Sequence, residues 1–593
     1  MKTRTGKVSV VLAVWFAVAA SGQAVIADEP IPCEKRLPKS VLAYVSLRNV
    51  ADFKTQWSKT LFGQLERDDA LADFRAEVER QFADAAKTLE DNLGMSFSDL
   101  LAIPHGEIAA AAMLGQGGRI SAVAFLDFGD REEAMQKLLA KAAEALENDG
   151  AKRSEEEVEE TKVVVFQRAN EEGDQKPRDA GAWFLKDSFL VLGTDLAALK
   201  NVLTRWDGKQ ERVLAENDVF RYVVDRCRDE NADHLPQLTW FVDPVAMVQS
   251  VAANPQQGLR QMALVVGMIP ALGIDKFRGV GGTFDLADGD YDTVSRTLVY
   301  LDRPAKGVIN LVQFDSGAQA PPKWLSADWS GFTSVNWNVA KAYAAAEGLI
   351  DMFQSPGATA QMLQALADDE HSGGIHLKKD VLDQLTGTFH IAEDDGGGKA
   401  GAEGGFLVAA ELRNVAAFRA TLTKLARIPG MKINEREFQG ETLYEVAMGG
   451  GGEDDEDAGE SKPTHFGFAI AEKHLMVASD VRLLERVMRG IGDRETLADS
   501  AAFKRISRKF PDQTASISFS RQDTQFKRIY EALRTGQAEQ AGALVGGAFG
   551  AFDFSKLPDF DALKKYLPAS GGFMERDERG LKLTSFSLRN ESD

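Results

Sequence analysis

The chain has 593 residues, 44% of them hydrophobic, and a formal net charge of −21 at pH 7. That apolar fraction excludes a chain disordered throughout, and the length calls for at least two domains. The acidity excludes a polyanionic partner such as nucleic acid, whose binding needs clustered cations.

Lys2, Arg4 and Lys7 precede an uncharged apolar run from Val8 to Ala20, and small and polar residues follow to Val25-Ile26-Ala27. This is the order of a cleavable secretory signal over residues 1–27, cut after Ala27 or after Ala24. The run is shorter than the roughly 20 residues a spanning helix needs, and no later stretch is long and uninterrupted, so no membrane span is expected after cleavage. The expected location is periplasmic or extracellular. Residues 28–36 form an N-terminal segment. It carries Cys33, which pairs with Cys227 if the only two thiols form a disulfide in an oxidising compartment.

A first α+β unit is expected over 37–303. Alternating strands end in short polar residues that cap a following amphipathic helix: Asn49, Asp130, Asp195 and Asp243. Ile108 to Met113 and Ile120 to Phe125 flank a glycine turn, as Thr283 to Leu286 and Thr293 to Leu298 flank Asp288-Gly289-Asp290, so both pairs read as hairpins. Pro304 and Ala320-Pro321-Pro322 mark a linker over 304–323. A second unit over 324–590 places caps at Asn338, Asn414 and Asp480.

The two units read as tandem copies. Phe189-Leu190-Val191-Leu192-Gly193-Thr194-Asp195-Leu196 matches His474-Leu475-Met476-Val477-Ala478-Ser479-Asp480-Val481, and Leu214-Ala215-Glu216 with Phe220 matches Leu497-Ala498-Asp499 with Phe503. The segment from Gly94 to Gly106 matches that from Gly374 to Gly387, and the last hairpins match through Gly282 and Gly572. The expected class is α+β, two tandem copies of one unit. Each copy is a largely antiparallel sheet with hairpins and with helices packed mainly on one face.

The opening Leu37-Pro38-Lys39-Ser40, the Gly94-to-Leu101 segment and the Gly193-Thr194-Asp195 and Ala478-Ser479-Asp480 steps resemble an uncharacterised bacterial exported family known only as a domain of unknown function. The resemblance implies no activity, cofactor or catalytic residue.

Candidate chemistry is sparse. His371 and His376 lie near Asp368, Asp369 and Glu370, but their spacing of five does not place two ligands on one helix face, so no metal site and no cofactor are expected. The acidic run Glu453 to Asp457 lacks the order of a calcium loop, and no nucleophile elbow, zinc-protease or phosphate-loop motif occurs. Two apolar segments stand between a helix and the last hairpin of each unit, one with Met262, Leu264 and Met268 and the other with Leu544 and Phe549. They are either core helix or the contacts of an apolar ligand or interface. The reading is a non-catalytic binding or scaffold protein of the cell envelope, with an envelope protein or a lipid as partner. The alternatives are a carrier of an apolar small molecule or lipid and a hydrolase with an unrecognised site.

Overall fold

The computed structural model describes residues 31–590 except 94, 116–118, 169–177, 230–233, 253–265, 370–372, 397–403, 429–432, 449–463, 493 and 537–551. The expected signal sequence, His371 and the acidic run therefore lie outside the described residues.

The chain is a mixed α and antiparallel β protein. Its first half forms β1 (Val41–Leu47), β2 (Ile108–Leu114), β3 (Ile120–Asp127), β4 (Lys152–Val158), β5 (Thr161–Arg168), β6 (Arg178–Lys186), β7 (Phe189–Gly193), β8 (Leu238–Val242), β9 (Phe277–Leu286) and β10 (Tyr291–Leu301). They lie side by side as β4-β5-β6-β7-β3-β2-β1-β8-β9-β10. The second half forms β11 (Gly331–Asn336), β12 (Leu385–Asp394), β13 (Gly405–Leu412), β14 (Ile433–Phe438), β15 (Glu441–Met448), β16 (Thr464–Ala471), β17 (His474–Ala478), β18 (Ser516–Arg521), β19 (Ala569–Asp577) and β20 (Gly580–Leu588). Their order is β20-β19-β18-β11-β12-β13-β17-β16-β15-β14. This is the first order again, run in reverse. β10 and β20 pair antiparallel from Tyr291 opposite Leu588 to Tyr300 opposite Gly580, so the two halves share one continuous sheet.

Helices begin where strands end in a capping side chain. Asp195 accepts from the Ala198 N–H at 2.8 Å and Asp480 from the Arg482 N–H at 2.8 Å, each starting the helix after β7 or β17. Asn49, Asn338, Asn414 and Asp243 cap in the same way. Asp130 does not, contrary to expectation. The chain leaves β3 through a turn in which Asp127 accepts from the Gly129 N–H at 3.0 Å, and the helix starts later, at Glu132, with Arg131 at its cap.

Helices cover both faces of each outer wing, not one. In β6, Ala182 and Phe184 face the helices Leu196–Leu203 and Asp218–Cys227, while Trp183 faces the helix Glu132–Asn148. The second half repeats this arrangement: Ala469 and Met476 join the helix Val481–Gly490, and Tyr444 and Ile470 join Val415–Leu425. The cause is visible in runs such as Val163-Val164-Val165-Phe166, which bury both sides of a strand.

The halves also meet outside the β10–β20 pairing. The Phe74 ring stacks on Phe554 with centroids 5.9 Å apart, Asp68 pairs with Lys565 at 2.8 Å, and Tyr222 donates to Asp577 at 2.6 Å.

Candidate functional site

Side chains alternate across a strand, so the register fixes which residues share a face. Where the halves join, Thr293 of β10 lies opposite Ser587, Ser587 opposite Ser570, Ser570 opposite Ser520, and Ser520 opposite Gly331. The neighbouring row runs Phe284, Ser295, Ser585, Gly572, Ser518, Thr333. Two hydroxyl ladders thus cross the seam on one face, while Val294, Phe586, Phe519 and Phe332 point into the core from the other.

These rows floor a groove of about 360 Å³, with Phe284 at one end and Gln522 and Gln525 of the helix Gln522–Arg534 at its wall. Ser520 donates to Gln525 at 2.9 Å, and Gln525 donates to Glu393 at 3.2 Å. Thr293 and Ser587 bond each other at 2.9 Å. Ser295, Thr333, Ser518, Ser570 and Ser585 make no side-chain hydrogen bond to the described residues. Glycine keeps the floor low: a β carbon at Gly572 would stand 2.8 Å from Ser518 Oγ, and one at Gly331 would stand 2.9 Å from Glu393 Oε2. Among the described lining residues Glu393 alone carries a charge.

Two buried polar clusters lie in the core. In the first half Glu107, 2% exposed, accepts from Ser46 at 2.5 Å and from the Cys33 N–H at 3.0 Å. Tyr44 and Arg48 each donate at 3.0 Å to Glu34, so the N-terminal segment is held by carboxylates. Burial pushes the Glu107 carboxyl up, with the Glu34 charge adding to it. Arg36 lies 3.9 Å over Trp206 and 4.6 Å over Phe189, and its Nε and Nη1 are buried without a hydrogen-bond partner. In the second half Trp324 packs on His390 and His474, whose rings are 5.4 Å apart. Trp324 Nε1, His390 Nδ1 and Ser334 Oγ are buried without partners. Burial, and then the neighbouring His474, lower His390 to about 4.

Cys33 and Cys227 stand as free, buried thiols in this structure. Both belong to one core cluster, but Cys33 sits in a turn anchored to Glu107, whereas Cys227 ends a helix and its carbonyl accepts from Thr283 at 2.9 Å. Burial raises Cys33 far above the usual thiol range and Cys227 to about 12. Met268 is 38% exposed and does not line the groove, while Met262, Leu264, Leu544 and Phe549 lie outside the described residues. His376 stands in a turn where its N–H donates to Asp380, and no group of three or more His, Cys, Asp or Glu among the described residues is placed to hold a metal. No described helix is long and apolar enough to cross a membrane.

The groove has no signature within any one stretch of sequence. Ser516-Ile517-Ser518-Phe519-Ser520 carries a period of two, but only pairing with β10, β19 and β20 shows that its serines share a face with others. No family model, curated protein or solved structure matches the chain.

Proposed function

We propose that this chain is an exported, non-catalytic binding protein of the cell envelope, built by tandem duplication, whose ligand lies in the groove where the two halves meet. The observation that carries this reading is the ladder Thr293, Ser587, Ser570, Ser520. It needs strands from both halves, and with the neighbouring row it leaves Ser295, Thr333, Ser518, Ser570 and Ser585 turned to the groove without internal partners. The volume is in the lower range of small-molecule sites. The buried thiols, held well above the range in which thiolates form, do not offer a nucleophile. Export rests on the N-terminal order of Lys2, Arg4 and Lys7, the apolar run and Ala27. The duplication is supported by the repeated motifs and by the repeated strand order.

Fractionation of the native cells, followed by native mass spectrometry of the purified chain, tests this reading. A mature N-terminus near Asp28 and a retained small-molecule adduct are expected. A cytoplasmic chain that still begins at Met1 removes the envelope reading.

A second reading, attachment to an apolar partner, is favoured by a separate observation. Ile350, Met352 and Phe353 of the helix Val339–Phe353, with Met362 and Leu366 of Ala358–Asp368, are between 37% and 59% exposed. Flotation with neutral lipid vesicles tests it, and Phe353→Ser should then reduce flotation.

A further inference from the structure

We infer that the seam groove takes a neutral glycan, a chain of sugar rings lying across the strands. This rests on the proposed binding role of the groove and names its ligand class.

The lining decides the chemistry. Ser295, Ser518, Ser570, Ser585 and Thr333 each bring a hydroxyl that both donates and accepts, and Gln522 and Gln525 bring amides that do the same. Sugar hydroxyls are donors and acceptors in equal measure and match this set. A charged ligand is not matched, because Glu393 is the single charge among the described lining residues and is already bonded to Gln525. A fatty chain is not matched either, since it would cover hydroxyls without bonding them, and each unpaired polar group costs binding energy.

These hydroxyls differ from an ordinary water-facing strand of the same protein. In β4 the exposed positions are Lys152, Arg153, Ser154, Glu155, Glu156 and Glu157, so solvent there is met largely by charge. Across the seam, five strands present hydroxyls or glycine in two adjacent rows. Phe284 closes one end of the second row, where its ring offers an apolar surface to the C–H face of a sugar.

The spacing sets the orientation. Neighbouring strands lie about 4.8 Å apart, so the two ladders place hydroxyls at that interval, broken only by Gly331 in the first and Gly572 in the second, over roughly 20 Å from β10 to β11. One sugar ring of an extended glycan advances by a comparable step, so successive rings meet successive strands. The open groove of about 360 Å³ holds part of such a chain, with the rest continuing along the track.

The test is calorimetric titration of the full mature protein with a neutral β-linked hexasaccharide, a neutral Gly-Ser peptide and palmitate. The titrations are repeated on the triple variant Ser518→Ala, Ser570→Ala, Ser585→Ala. Saturable binding of the hexasaccharide, weakened about tenfold or more in the variant while its melting temperature holds, is the expected result. Hexasaccharide binding unchanged in the variant places the glycan elsewhere and overturns the inference. Binding of the peptide or palmitate, but not the hexasaccharide, that the variant abolishes keeps the groove and overturns the ligand class. If none of the three binds and native mass spectrometry of the envelope-purified chain finds no adduct, both the class and the groove reading fall.

Discussion

The hydroxyls of Thr293 and Ser587 meet at 2.9 Å across the seam between the two halves of the sheet, although the residues are 294 positions apart in the chain. Ser587 is 5% exposed, so losing its partner leaves a nearly buried hydroxyl short of a hydrogen bond. Thr293→Val and Ser587→Ala should each cost about 1 kcal/mol, and the double variant should cost little more than either single change. Denaturant melts of the three variants check this. Fully additive losses would show that the two hydroxyls do not act as a pair.

The helix caps after β7 and β17 are not equal. Asp195 also accepts from Ser121, which is 3% exposed, at 2.5 Å, whereas Asp480 has the exposed Arg482 guanidinium as its further partner. Asp195→Ala should therefore cost more than the roughly 1 kcal/mol usual for a cap, and Asp480→Ala about that amount. The order of the two melting temperatures is the readout, and equal losses would remove Ser121 from the account.

His390 makes the second half sensitive to acid. Its fold-side value is about 4, from burial and from His474, whereas an unfolded imidazole titrates near 6.5. Above pH 6.5 both states are neutral and nothing is lost. As the pH falls from 6.5 toward 4 the unfolded chain takes up the proton first, so stability drops, by roughly 3 kcal/mol at the lower end. His390→Phe should flatten this part of the profile relative to wild type in urea midpoints taken at pH 7.5 and 4.5. A variant with the wild-type slope would assign the acid sensitivity to other groups.

Cys33 and Cys227, buried and with raised thiol values, should resist alkylation in the native protein and react promptly once it is unfolded. Mass mapping without reductant should find no peptide pair joined through them. A recovered Cys33–Cys227 link would mean that the N-terminal turn departs from Glu107 in the oxidised protein.

What the sequence reveals here is what is local. Asp195, Asp480, Asn49, Asn338, Asn414 and Asp243 are readable because a cap needs only its own helix turn, and the glycine turns announce their hairpins for the same reason. Asp130 misleads by one residue, because a buried Phe128 and the Asp127 turn delay the helix start. The second helical layer had its own signal: an unbroken run such as Val163-Val164-Val165-Phe166 buries both faces, while alternation buries one. Glu107 meeting Ser46 and Cys33, and Ser334 facing His390, depend on register between distant strands. The hydroxyl groove draws on β9, β10, β11, β18, β19 and β20, so no window of sequence contains it.

The pairing of β10 with β20 also decides which strands stand at the rims of the sheet. Among the described residues β4 and β14 each have a neighbour on one side only, and both carry charge: Lys152, Arg153 and Glu155 to Glu157 on the first, Glu435, Arg436 and Glu437 on the second. Charged rims of this kind discourage a further strand from adding. β10 and β20 have long stretches of hydroxyl and aliphatic residues, the sort of border that recruits strands, and each is satisfied by the other. Halves separated from each other would bare two adhesive borders at once. Holding both halves in one polypeptide keeps the complementary strand of each border at hand during folding.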